Sequence, residues 1–249
     1  MIFKKTPIIL LVGGKGSRYI DDENNPKQLA QIEKKPILIH MFNAYYKYGF
    51  NHFILPLGHK KKLFKFFFKN KKNKKKYKIN LLNKKFTNLK KNSINIFLFD
   101  TKNNIKKLDR IKKSLKFLKN YKNIGVNYGD AICDININSI YNKFIRNQYN
   151  GIMSLAKMKS PFGHVVINKS LVTKFVEKPM LPYPTNIGYY FFKSLALTGY
   201  KTKNAELEIE FLKEQIKKKK LGYYFHKGFF HTVNHKQDLI SLNKEKIKL

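Results

Sequence analysis

The sequence predicts an α/β fold with a mostly parallel central sheet and a smaller antiparallel region in its C-terminal part. Three observations predict it. An unbroken apolar run, Ile8 to Val12, ends in Gly13 and Gly14, as suits a central parallel strand covered on both faces. Apolar runs then alternate with segments of helical spacing as far as Tyr128, which implies right-handed crossovers and a ligand crevice at the strand C-terminal ends. After Ile152 the texture changes to short strands with turn signals.

In order, Pro36 opens a helix that places Ile37, Leu38, Met41, Phe42 and Tyr45 on one face. His52 to Leu57 reads as the next strand and Ile94 to Phe99 as another. A helix carrying Leu108, Ile111, Leu115 and Leu118 follows, then a strand at Ile124 to Tyr128. The later strands are Val165 to Ile167, Leu171 to Val176 and Ile187 to Phe192, before a helix around Leu207 to Ile216. Lys69 to Lys91 has weak periodicity and reads as a mobile excursion or a long ribbon. No internal repeat is visible. With 249 residues and 43% apolar content, the chain supports one domain spanning 1–249, with halves at 1–150 and 151–249.

A formal charge of +37 raises the question of a polyanion partner. Arg18, Arg110 and Arg146 are the only arginines among 52 basic residues, whereas proteins that read guanine edges rely on the guanidinium fork. The lysines accompany abundant Asn, Ile, Phe and Tyr, all encoded by AT-rich codons, so base composition explains them. The runs Lys60 to Lys62, Lys74 to Lys76 and Lys217 to Lys220 are read as solvated surface that steers phosphate-bearing substrates. No specific nucleic-acid partner follows.

Cys133 is the sole cysteine, which leaves no intrachain disulfide, thiolate zinc site or paired redox motif, and fits a reducing cytoplasm. Lys4 and Lys5 before Ile8 mimic a signal peptide, but Gly13 and Gly14 cut the apolar run short. No stretch approaches the ~20 apolar residues that span a bilayer, so no membrane partner is predicted. A homo-oligomer is compatible with the sequence.

Gly13-Gly14-Lys15-Gly16-Ser17-Arg18 directly follows the first strand, and Pro26-Lys27-Gln28 lies shortly beyond. Glycines there allow a sharp turn that presents N–H groups to phosphate oxygens, while Arg18 and Lys27 add full charges on the same anion. This is not a Walker motif. Tyr19 also stands where Gly-x-Gly-x-x-Gly needs its third glycine. Tyr128-Gly129-Asp130 ends a predicted strand at the catalytic rim, where a lone Asp is usually a cap or turn former.

The glycine-rich string with its later Pro-Lys resembles the signature that opens the sugar-phosphate and methylerythritol phosphate nucleotidyltransferases. The run Tyr128 to Ile135 is similar to the glucose-1-phosphate cytidylyltransferase version, Tyr-Gly-Asp-Gly-Val-x-Asp-Ile/Val. Asp100-Thr101 with Arg110-Ile111-Lys112 has the spacing of that subgroup's Asp-Thr-Gly and Gly-Gly-Arg elements, although Ile105, Leu108 and Asp109 replace its hydroxyl and glycine positions. Phe175 to Pro179 matches its Glu-Lys-Pro motif, and Asn186 to Tyr190 its Asn-Gly-Gly-Phe-Phe. Glu208 to Leu212 parallels Glu-x-Glu-Pro-Leu, and His226 to Phe230 parallels His-x-Gly-Phe-Trp. Where the family has Met-Asp-Thr, this chain has Val233-Asn234-His235.

The resemblance implies a Rossmann-like three-layer nucleotidyltransferase fold, with nucleotide bound by the first half and sugar by the second. It implies a nucleoside triphosphate and a sugar 1-phosphate as partners, CTP and glucose 1-phosphate in the matching subgroup, with Mg²⁺ as cofactor. Arg18, Lys27 and Asp130 would be catalytic. Val12, Gly13, Gly14, Lys15, Gly16, Ser17, Arg18, Lys27, Arg110 and Gly129 would bind the nucleotide. Glu177, Lys178, Asn186 and Gly188 would hold the sugar phosphate. Asp130 would hold the metal, with the Asn234 amide in place of a second carboxylate. A methylerythritol phosphate cytidylyltransferase, a degenerate nucleotide binder and a basic RNA-binding protein stand as alternatives.

Overall fold

A computed structural model describes residues 4–14, 25–83, 88–201 and 204–244. The run predicted as the first strand forms β1 (Ile8–Leu11), and every one of its residues is buried. Two short strands, β2 (Gln31–Ile32) and β3 (Lys35–Pro36), precede α1 (Ile37–Tyr46), which has Pro36 at its start. Then come β4 (His52–Leu57), α2 (Lys61–Lys69), α3 (Lys71–Lys76), β5 (Ile79–Leu82), β6 (Ile94–Asp100), α4 (Lys107–Leu115), β7 (Asn123–Tyr128) and β8 (Ala131–Cys133). The second half continues with α5 (Ile137–Arg146), β9 (Gly151–Ala156), β10 (His164–Asn168), β11 (Leu171–Val176), β12 (Thr185–Lys193) and α6 (Ser194–Thr198). A π-helical turn, Leu207–Leu212, leads into α7 (Lys213–Lys217), β13 (Leu221–His226), β14 (Phe230–Thr232) and α8 (Lys236–Lys244).

One eight-stranded sheet runs in the order β13-β9-β12-β7-β1-β4-β6-β5. Only β12 is antiparallel to its neighbours; the other pairings are parallel. Strands from both halves of the chain share this sheet.

Alternate side chains of β1 enter different cores. Ile8 and Leu10 meet Phe42 of α1, Phe68 of α2 and Phe144 of α5 on one face. Ile9 and Leu11 meet Leu108 and Ile111 of α4 and Phe211 of the π-helical turn on the other. This is the three-layer α/β arrangement the resemblance implies. Full burial of each such side chain contributes about 2 kcal/mol, so both helical layers are firmly held.

The segment Lys69 to Lys91 is neither an excursion nor a ribbon over its described part. It forms α3 and the edge strand β5, which pairs with β6 in parallel. Ile79 and Leu82 are buried there, and the Tyr77 ring stacks on Phe67. A few apolar residues in the lysine background were enough to dock it. The predicted helix at Leu207 to Ile216 exists, but its first part is π-helical, a form that is rare and frequent at functional sites. The hairpin β10–β11 is antiparallel, and every residue of its two strands is exposed. Among the described residues, no helix is long and apolar enough to cross a membrane.

Candidate active site

The cleft lies at the C-terminal ends of β1, β4 and β7. It encloses about 230 Å³ between the glycine turn, Lys27, Lys107, Arg110, Tyr128 and Asp130. At its back, Gly13 has φ +76°, and a side chain on it would come within 2.7 Å of the Gly58 nitrogen. Its carbonyl accepts the His59 N–H at 2.8 Å. Gly14 also lines the cleft. Lys15, Gly16, Ser17 and Arg18, predicted to wrap the triphosphate, lie outside the described residues.

Arg110 lines the cleft and also has a structural task. Its guanidinium, 5% exposed, donates from Nη1 to the Val12 carbonyl and from Nη2 to the Gly13 carbonyl, both at 2.8 Å. Burial pushes its pKa below the ordinary value. Two of its donors therefore fasten the base of the glycine turn, so Arg110 positions the cradle. Gly58 exists to admit it, since a Cβ there would fall 1.8 Å from Arg110 Nη2. Leu108, which replaces a family glycine, is fully buried on the core face of α4.

Lys27 opens a single 3₁₀ turn, Lys27–Leu29, after Pro26. Its side chain is 13% exposed and its Nζ donates to Asp130 Oδ2 and to the Val233 carbonyl, each at 2.9 Å. Asp130 sits beyond β7, next to Gly129, whose N–H bonds the Leu11 carbonyl. The β8–β14 pairing sets Thr232 opposite Ala131, and the Val233 N–H bonds the Asp130 carbonyl at 3.0 Å. Asn234 is thereby the residue that follows one bonded to Asp130. Its Nδ2 donates to Thr232 Oγ1 at 3.0 Å, while its main-chain N–H and that of His235 are capped by Asp238 Oδ2.

These donors fit a hard cation. One half-exposed carboxylate and one amide oxygen on adjoining loops are the all-oxygen set that Mg²⁺ accepts when substrate phosphates complete its shell.

A hydrogen-bonded chain forms one wall. Lys107 bonds the Glu208 carboxylate and sits 4.4 Å over the Tyr128 ring. Tyr128 OH donates to Glu208 Oε1 at 2.5 Å, Tyr190 OH donates to Tyr128 OH at 2.9 Å, and Asn186 Nδ2 bonds Tyr190 OH. Asn186 Oδ1 accepts the Gly188 N–H at 3.0 Å. Burial opposes ionisation of Glu208, but the bonds from Lys107 and Tyr128 outweigh it and hold the carboxyl below its ordinary range. Burial, with the Tyr190 and Glu208 charges, drives the Tyr128 hydroxyl far above its usual pKa. Asn186 and Gly188 thus reach the cleft through Tyr190 and Tyr128.

Glu177 and Lys178 do not join this wall. They pair loosely at 3.9 Å beyond the exposed strand β11, each 61% exposed. Asp100 and Thr101 also lie elsewhere, with Asp100 paired to Lys61 and Lys65, and Thr101 Oγ1 donating to the Leu57 carbonyl at 2.9 Å. The sequence reading missed Lys107, His59 and Lys60 as cleft residues. Lys107 lies between Asp100-Thr101 and Arg110, inside the stretch the motif comparison spans, and that placement is the one signal that could have found it.

Lys27, Lys60, Lys107 and Arg110 line the cleft beside Asp130, a surface with excess positive charge. A Bacillus subtilis (strain 168) protein named "Probable glucose-1-phosphate cytidylyltransferase" is 27% identical over 245 residues, spanning 95% of this chain and 94% of its own length. A "Mannose-1-phosphate guanyltransferase" of Gibberella zeae (strain ATCC MYA-4620 / CBS 123657 / FGSC 9075 / NRRL 31084 / PH-1) is 24% identical over 241 residues, which is 94% of this chain and 62% of that protein. The crystal structure of a UDP-glucose pyrophosphorylase complexed with UDP-glucose superposes with a TM-score of 0.68 at 17% identity, covering 98% of both chains. A family model described as nucleotidyl transferase matches residues 7–243, and the chain belongs to that family.

Proposed function

We propose that the protein joins CTP and glucose 1-phosphate into CDP-glucose and pyrophosphate, with Mg²⁺. The observation that carries nucleotidyl transfer is the Lys27–Asp130 pair at 2.9 Å beside the glycine turn, a cation for phosphate charge next to a carboxylate for a hard cation. The choice of cytidine and glucose is supported by the Tyr128 to Ile135 string and by the name of the Bacillus subtilis relative.

A sugar-phosphate oxygen attacks the α-phosphorus in line. The new O–P bond forms as the bridge to the β-phosphorus breaks, and pyrophosphate departs. The nucleophile is already ionised, so no general base is needed and the task is alignment of two repelling anions. Lys27 turns from Asp130 toward the α-phosphate and neutralises the pentacoordinate charge. Arg18 assists the leaving pyrophosphate. Arg110 keeps the Val12–Gly13 turn in shape, and Tyr128, braced by Glu208 and Tyr190, orients the sugar side. Asp130, with Asn234 assisting, would hold Mg²⁺, which would supply neutralisation of phosphate charge.

A panel of four nucleoside triphosphates against several sugar 1-phosphates, read by pyrophosphate release, tests this. Highest kcat/KM with CTP and glucose 1-phosphate is expected. A different preferred pair overturns the specificity but not the chemistry. Binding without release under any pair would favour the degenerate reading that Asn234 invites.

A further inference from the structure

Outside the cleft, three metal-ligating side chains converge. Cys133, Asp134 and His226 bring a sulfur, a carboxylate oxygen and a ring nitrogen within 4.8 Å of one another. We propose that they bind one borderline divalent transition metal ion, Zn²⁺ or Co²⁺ in chemical class, at a site separate from the hard-cation position at Asp130.

The donor set decides the class. Sulfur and imidazole nitrogen favour Zn²⁺ and its neighbours, while Mg²⁺ prefers oxygen alone. Three protein ligands with a fourth position left for water is the arrangement of an open zinc site.

The ligands are held before any ion arrives. Cys133 is locked by its ladder pairing with Phe230, and the Asp134 N–H bonds the Phe229 carbonyl at 3.2 Å. His226 ends β13, in register with Ala156 of β9. Its Nε2 lies 2.9 Å from Asp134 Oδ1 and 3.0 Å from the Phe229 carbonyl, so the ring is already held beside the carboxylate. Cys133 and His226 are 5% and 7% exposed, and the Asp134 side chain is 47% exposed. The pocket is therefore walled by protein and open to water at its carboxylate edge.

A His–Asp clip alone accounts for two of these residues, and both lie in motif stretches shared with the cytidylyltransferase subgroup. Cys133 occupies the variable position of its stretch. The thiol turns a clip into a three-donor set, so the site belongs to this chain. The sequence, with its single cysteine, argues against a thiolate zinc site; the fold supplies the other donors from β13 and from the residue after β8. On binding, the S–H bond breaks, a metal–sulfur bond forms and the thiol proton leaves to water. The imidazole ligates as a neutral group, and no electron changes hands. Affinity should therefore rise with pH.

The test uses untagged full-length protein, stripped with a chelator and titrated with Co²⁺ alone. One equivalent should produce a near-ultraviolet sulfur-to-cobalt band, with visible bands of low-coordinate cobalt, and Zn²⁺ should displace it. Because Cys133 is the sole cysteine, that band reports on this site only. Cys133→Ala should abolish it. Should that core variant fold poorly, Asp134→Asn, near the surface, should weaken Co²⁺ binding at least about 10-fold. Asp130→Ala should keep the band. Saturating Co²⁺ without a sulfur band, unchanged affinity in Asp134→Asn, or loss of the band in Asp130→Ala would each overturn the proposal.

Discussion

Lys27 Nζ stands 2.9 Å from Asp130 Oδ2, with a second bond of the same length to the Val233 carbonyl. Each charge is the other's counter-ion until substrates arrive, and the bond joins the loop after β1 to the loop after β7. Removing either preorganised charge should lower kcat on the order of 10²-fold or more. Lys27→Ala and Asp130→Ala, assayed for pyrophosphate release with circular dichroism as the folding control, check this. Turnover like wild type in either variant would refute the assignment.

The Asn234 amide replaces a carboxylate at a position one residue beyond Val233. Asn234→Asp adds one negative charge to the proposed cation site, so Mg²⁺ should be held more tightly. The Mg²⁺ concentration at half-maximal rate should fall severalfold, with little change in KM for the sugar phosphate. An unchanged Mg²⁺ dependence would show that residue 234 does not serve the cation.

Arg110 spans Val12 and Gly13 with two buried charged hydrogen bonds. Bonds of this type contribute about 1.5–3 kcal/mol each, so Arg110→Met should lower the thermal midpoint clearly. It should also raise KM for the triphosphate more than it lowers kcat, because the residue shapes the cradle without touching reacting atoms. Kinetics together with thermal melts measure both effects.

Gly58→Ala would drive a methyl to 1.8 Å from Arg110 Nη2 and 2.6 Å from the Gly13 carbonyl oxygen. It should reproduce the Arg110→Met phenotype. The two changes share one interaction, so the double variant should be far less damaged than the sum of the singles. Additive losses in a double-mutant cycle would disprove the linkage.

Glu208 is held below the ordinary carboxyl range by Lys107 and Tyr128. A depressed folded-state pKa contributes stability that is complete above the unfolded value, about 4.3, and is lost as pH falls through the folded value. The thermal-midpoint gap between wild type and Glu208→Gln should be constant near neutrality and shrink below about pH 4. A gap that widens on acidification would contradict the network.

Local chemistry wrote much of this structure plainly into the sequence. Ile8 to Val12 and His52 to Leu57 were legible because unbroken apolar runs of strand length suit a buried parallel strand. Lys27 and Asp130 were legible because motif spacing after strands places residues at the sheet rim. β13 and β14 escaped notice, since Leu221 to His226 mixes an exposed and a half-buried tyrosine with glycine, and only pairing with β9 identifies it as a strand. The edge strand β5 was hidden by its lysine surroundings, which carry no period of their own.

By itself, then, the sequence determined the α/β class, the central parallel strands and the Lys27 and Asp130 that meet in the cleft, because periodicity and motif order are local properties. Tertiary structure alone decided where long side chains spend their donors. It turned Arg110 onto the glycine turn, left Glu177 and Lys178 exposed beyond the hairpin, and set Lys107, Tyr128 and Glu208 into one wall. It also brought His226 of β13 beside Cys133 and Asp134. The reason is physical: a buried polar group takes whichever partner the packed backbone brings within reach, and that partner is fixed only when strands far apart in sequence have paired.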